Sequence, residues 1–108
     1  MGAMGLSVIA NVNDLVEIEA GRRTSKLAVA GTGARVIVFA LDTGAELAEH
    51  TAPGPILVQG LAGRLEFSTK EETVELLPGG LIHLDARVPH AVRATEPSRM
   101  MLTIIRQN

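Results

Sequence analysis

The sequence predicts an all-β domain, a sandwich or barrel of about nine short strands. Two observations predict it. Apolar, β-branched runs of four to eight residues recur along most of the chain, with no sustained helical period. Most of the eleven glycines and five prolines fall between those runs, where they turn the chain.

The elements follow in order. Residues 13–17 read as one short N-terminal helical turn, with Asn13 or Asp14 as its cap. Residues 25–30 form the first strand, and Gly31 to Gly33 turn the chain. Residues 35–41 are apolar and β-branched almost throughout, which marks a buried strand. Asp42 to Gly44 turn into an alternating run, 45–50, that ends at a Pro-Gly-Pro loop. Residues 56–61 are a strand, and Ala62-Gly63 is a tight turn. In 64–68, Leu65 and Phe67 alternate with Arg64 and Glu66. A loop at 69–72 returns the chain through 73–77, and Pro78 to Gly80 lead into 81–84. Residues 90–94 and 100–106 complete the set. A dinucleotide-binding reading of Gly31-Thr-Gly33 fails, because no third glycine follows in place and the next element is a strand.

Composition narrows the function classes. A chain of 108 residues is expected to form one domain, over 6–108, with residues 1–5 as an expression remnant. The apolar fraction of 46% is aliphatic, since Phe39 and Phe67 are the only aromatics besides histidine. Base stacking needs surface aromatics, and a phosphate backbone needs a basic patch. With a net charge of -2 and no basic run, a nucleic-acid partner is not expected. There are no cysteines, which removes disulfides, zinc-thiolate sites and thiol nucleophiles, and leans the location toward the cytoplasm. No apolar stretch approaches the roughly 18 residues of a membrane span, so no membrane partner is expected either.

The informative residues are His50 and His90, each in a spaced frame. The first frame runs from Gly44 through five residues to His50, then through Pro53-Gly54-Pro55 and Ile56 to Gly63. The second runs from Gly80 through five residues to Ala86-Arg87-Val88-Pro89-His90. In both order and spacing the chain resembles a small single-domain cupin of the cupin 2 conserved-barrel type. The resemblance covers residues 44–94 closely. It implies a double-stranded β-helix, or jelly-roll barrel. In that family the first motif supplies His-x-His and a glutamate, and the second a further histidine, to one metal ion. Here the second histidine of His-x-His is Ala52, and the glutamate position is Ile56. The proline and glycine of the second motif are read as Ala86 and Val88, and its final asparagine as Ala94. Of four ligands, His50 and His90 remain.

Strand parity places Ala48, His50 and Ala52 on one face, with Glu46 on the same face but about 13 Å along. Gln59 lies three residues after Ile56, so alternation sends it outward unless a bulge near Gly60 reverses it. His83 lies an odd seven residues before His90, but the turn between breaks the parity count. Gln59 and His83 are thus weaker candidate ligands, and His83 reads first as a surface or strand-packing residue. Arg87 and Arg93 read as solvated, and Met100 and Met101 as packing residues.

Three functions stay open. One is a small-molecule pocket at His50, Ala52, Ile56 and His90 with a degenerate metal site. Another is a metal-dependent enzyme, dioxygenase- or isomerase-like by resemblance, in which His50 and His90 hold one divalent Mn, Fe, Ni, Cu or Zn ion. The third is a structural or regulatory homodimer without catalysis, whose apolar outer sheet is covered by a second copy.

Overall fold

A computed structural model describes residues 5–31 and 33–106. Most of the expected expression remnant, and the centre of the Gly31–Gly33 turn, lie outside the described residues. A 3-10 turn, Val12–Asp14, precedes nine strands: β1 Arg23–Ala30, β2 Ala34–Leu41, β3 Glu46–His50, β4 Ile56–Ala62, β5 Leu65–Ser68, β6 Thr73–Leu76, β7 Leu81–Leu84, β8 His90–Ala94 and β9 Ser98–Ile105. They form two antiparallel sheets, ordered β1-β2-β9-β4-β7 and β3-β8-β5-β6. The expected all-β jelly-roll barrel is the observed fold.

The core lies between the sheets. Paired residues of adjacent strands share a face, so each ladder contributes a row of side chains. Val58 opposes Leu102 and Ile82, and Leu65 opposes Leu76 and Ala94. These residues, with Leu41, Ile56, Phe67, Val92 and Met100, make one apolar cluster, Ile82 packing against it from the edge. Met100 packs in this cluster and Met101 against a second one, as the sequence suggests.

That second cluster covers the outer face of β2. Val38 and Ala40 are fully buried under Val16, with Val12, Leu15 and Ile18 packed alongside. This is why β2 is apolar on both faces. Arg99 Nε donates to the Val16 carbonyl at 3.0 Å and ties the segment down. The N-terminal turn forms earlier than the sequence suggests. Asn11, not Asn13 or Asp14, is the cap, because its Oδ1 accepts the backbone N–H of Asn13 at 3.0 Å.

Two turns position the strands around the site. At the β4–β5 turn Gly63 has φ +77°, and an added Cβ would run into the Pro97 carbonyl oxygen. Only glycine lets this turn close on β9. In the β7–β8 turn Arg87 has φ 63°, the only positive value at a non-glycine among the described residues. Its N–H donates to the Ala52 carbonyl at 2.9 Å, joining the loop after His50 to the loop before His90. A side chain in the left-handed region costs of order 1 kcal/mol or more, and a β-branched one costs most. Urea unfolding of Arg87→Gly is therefore expected to show equal or higher stability than the parent. Arg87→Val is expected to lose about 1 kcal/mol or more.

Candidate functional site

His50 ends β3 and His90 begins β8. The ladder between them is irregular. Glu46 opposes Arg93 and Leu47 opposes Val92, then the register shifts so that His50 opposes His90. Leu47 and Val92 are core residues, so His90, two residues before Val92, faces the same interior. The shift brings His50 to that interior although it lies three residues beyond Leu47. Parity alone puts Glu46 and His50 on one face; the irregularity corrects this, since Glu46 opposes Arg93 on the outer face.

The two imidazoles meet with ring centroids 4.3 Å apart, tilted by 58°. On another side His90 stacks on Phe67, at 5.5 Å and 12°. His90 is buried, at 4% exposure, whereas His50 is exposed. His50 Nδ1 lies 2.7 Å from the Ala48 carbonyl and His90 Nδ1 lies 2.9 Å from that of Val88. A carbonyl cannot donate, so each Nδ1 carries a proton, and in its neutral form each ring presents Nε2 as an acceptor. Among the described residues no buried side-chain nitrogen lacks a partner, so His90 Nε2 is within reach of solvent. A small cleft of about 100 Å³ between Glu49, Lys70 and Pro89 opens onto His90.

The other candidates divide. Ala52 is half-buried and Ile56 is 1% exposed, and both pack on the main core. Gln59 faces solvent, opposite Leu81 and Met101. The bulge that would have turned it inward exists, but it falls between Gly60 and Ala62, beyond Gln59. His83 is exposed on β7, opposite Leu57. Neither is brought to the histidine pair. Arg87 and Arg93 are exposed, and Arg93 approaches Glu66 only at 3.9 Å. Phe67 is the site residue that the sequence reading missed. Its signal was its place in the Leu65/Phe67 alternation, one of two phenylalanines in the chain.

The second frame is also one residue out. In that motif two residues separate the glycine of Pro-x-Gly from the histidine and five separate the leading glycine from the proline, which puts Pro-x-Gly on Asp85, Ala86 and Arg87 and the leading glycine on Gly79, not Gly80. Backbone geometry agrees. Gly79 has φ +87° and Arg87 has φ 63°, so the residue at the glycine position keeps a glycine-like conformation.

The four positions that the resemblance assigns to a metal thus hold two imidazoles and two hydrocarbon side chains. Among the described residues no group of three or more His, Cys, Asp or Glu is placed to hold a metal. A first-row divalent ion at a protein site ordinarily takes three or more protein ligands. This donor set does not fit one.

Burial holds the His90 imidazole below the usual histidine range, and the neighbouring His50 pushes the same way, against the Val88 hydrogen bond. The unfolded chain therefore binds a proton near the ordinary histidine pKa that the folded chain resists. The stability that His90 contributes is full above the ordinary histidine pKa of about 6.5 and falls as pH drops below it. Urea unfolding between pH 7 and pH 5 is expected to show this loss, and His90→Gln is expected to flatten it. An equal slope in both proteins would contradict the assignment.

The model of the cupin domain family matches residues 37–106. No match was found among the curated proteins. Among solved structures, a conserved Streptococcus pyogenes protein of unknown function is 29% identical, covering 95% of this chain and 90% of that one, with a TM-score of 0.85. A cupin 2 conserved barrel domain protein from Leptotrichia buccalis is also 29% identical, covering 87% of this chain and 46% of that one, with a TM-score of 0.82. A cupin superfamily protein from Desulfitobacterium hafniense is 17% identical over 89% and 87%, with a TM-score of 0.83, and this likeness carries the fold alone. With the family model matching from β2 to the end of β9, the chain belongs to the cupin domain family.

Proposed function

We propose that this chain binds a small molecule at the His50–His90 pair without a tightly held metal. The observation that carries this reading is the hydrogen bonding of both Nδ1 atoms to backbone carbonyls. It leaves an Nε2 acceptor on each of two adjoining rings, and among the described residues no group of three or more His, Cys, Asp or Glu is placed to hold a metal. A ligand with hydroxyl, amide or amine donors suits the Nε2 acceptors, and Pro89 and Ala91, which line the cleft at His90, suit a small apolar body. Elemental analysis and native mass spectrometry of protein purified without chelator and without a metal-affinity column test it. The expected result is metal well below one ion per chain. A bound organic molecule should be present and should be lost in His50→Ala and in His90→Ala. Stoichiometric Mn, Fe, Ni, Cu or Zn that disappears in the same variants would replace this reading with the metal-dependent enzyme.

The second expected partner is a copy of the chain itself. Part of the outer sheet is already covered by residues 12–18, and one surface left for pairing is the edge strand β1, where Leu27 is 44% exposed. An unpaired strand edge with an exposed leucine favours addition of a second edge. Sedimentation velocity over a range of concentrations is expected to show a dimer that Leu27→Lys weakens. A monomer at high concentration removes the dimer. No helix of the described residues is long and apolar enough to cross a membrane. The cytoplasmic location completes the reading and rests on the absence of cysteine.

A further inference from the structure

The two sheets do not close on each other along the side where β6 edges one and β7 edges the other. A cavity of about 430 Å³ lies in that gap, within the size range of small-molecule sites. Its walls are Phe67 and Val74 from the β5–β6 pair, and Leu81, Ile82 and Leu84 from β7. Leu81 is 63% exposed and Val74 38%, so this apolar surface is open to solvent. Neither His50 nor His90 lines it. Phe67 is the wall between the two places, stacked on His90 and also facing the gap.

The polar groups at this cavity are of one sign. Glu72 and Glu75 line it, with Thr69 and His83, and no lysine or arginine does. Glu75 is engaged by Arg64 at 3.3 Å. Glu72 has no ion-pair partner among the described residues. Lys70, the cation nearest in sequence, lines the small cleft at His90 instead. An apolar slot with an aromatic wall and an uncompensated carboxylate is complementary to an organic cation. The apolar body would displace water from Val74, Leu81 and Ile82. The charged end would take Glu72, with the Phe67 ring adding a cation–π contribution within its reach.

We propose that the β6–β7 cavity is a second binding site, selective for an ammonium group carried on an apolar body. It is separate from the cleft at His90, with Phe67 shared between the two. Matched probes test it: phenethylammonium and 3-phenylpropanoate have the same aryl-alkyl body and opposite charge. Methyl-resolved NMR titration of the intact chain is expected to show saturable shifts of the Val74, Leu81, Ile82 and Leu84 methyls with phenethylammonium. The carboxylate probe should bind about tenfold more weakly or worse. Glu72→Gln should weaken the ammonium probe about two- to fivefold, the range of an exposed ion pair. Higher salt should weaken it in the parent and less in that variant. Leu81→Ser, at an exposed position that does not hold the core, should weaken both probes. Equal affinity for the two probes, no effect of Glu72→Gln, or shifts confined to methyls elsewhere would overturn the site. Metal content, which decides the reading of the histidine pair, has no bearing on these outcomes.

Discussion

The site depends on one irregularity in a sheet. In a regular strand Leu47 and His50, three residues apart, would face opposite sides. The register shift in β3 lets both face inward, Leu47 against Val92 and His50 against His90. Without it His50 would join Glu46 and Arg93 in solvent, and His90 would have only Phe67 beside it. The shift also explains the unequal burial of the pair. His90 continues the core row of β8, while His50 sits at the frayed end of β3, where the chain leaves the sheet for the Pro53-Gly54-Pro55 loop.

The strands were legible because strand, turn and core signals agree over most of the chain. Gly63 and the apolar run of β2 each mean the same thing locally and globally. What parity could not supply was the facing of residues beside irregularities. The β3 bulge has no glycine or proline to announce it, so parity alone puts Glu46 on the wrong face. A bulge near Gly60 was foreseeable, but not on which side of Gln59 it would fall. The N-terminal cap was missed because Asn11 and Asn13 are equally good cap residues in isolation, and only the Asn11 side chain closes on its neighbour. Arg87 escaped the frame for a physical reason as well: a non-glycine holds the left-handed conformation there, so the identity of the residue hides the role of the position.

The substitutions at the family's ligand positions change what that region contributes to stability. A carboxylate at position 56 would carry a desolvation cost of several kcal/mol unless a cation met it. Ile56, nearly fully buried against Ile104 and Leu84, instead contributes about 1.5–3 kcal/mol of hydrophobic burial. Burial at position 56 thereby adds stability without calling on an ion. That relieves the two histidines of a structural duty, and the lowered proton affinity of His90 is the expected behaviour of an imidazole with hydrocarbon and a ring as neighbours.

The remaining polarity is then organised by backbone, not by charge. Arg87 bends the chain into a left-handed turn, and its N–H is held by the Ala52 carbonyl of the loop that follows His50. One residue further on, the Val88 carbonyl takes the Nδ1 proton of His90. The left-handed turn at position 87 and the carbonyl that meets Nδ1 of His90 are thus one residue apart. The same hydrogen bond joins the two loops that deliver the two imidazoles. A site assembled from carboxylates and a cation would shift with ionic strength. One assembled from carbonyls, a strained turn and hydrocarbon keeps its acceptors aimed whether or not a ligand is there to meet them.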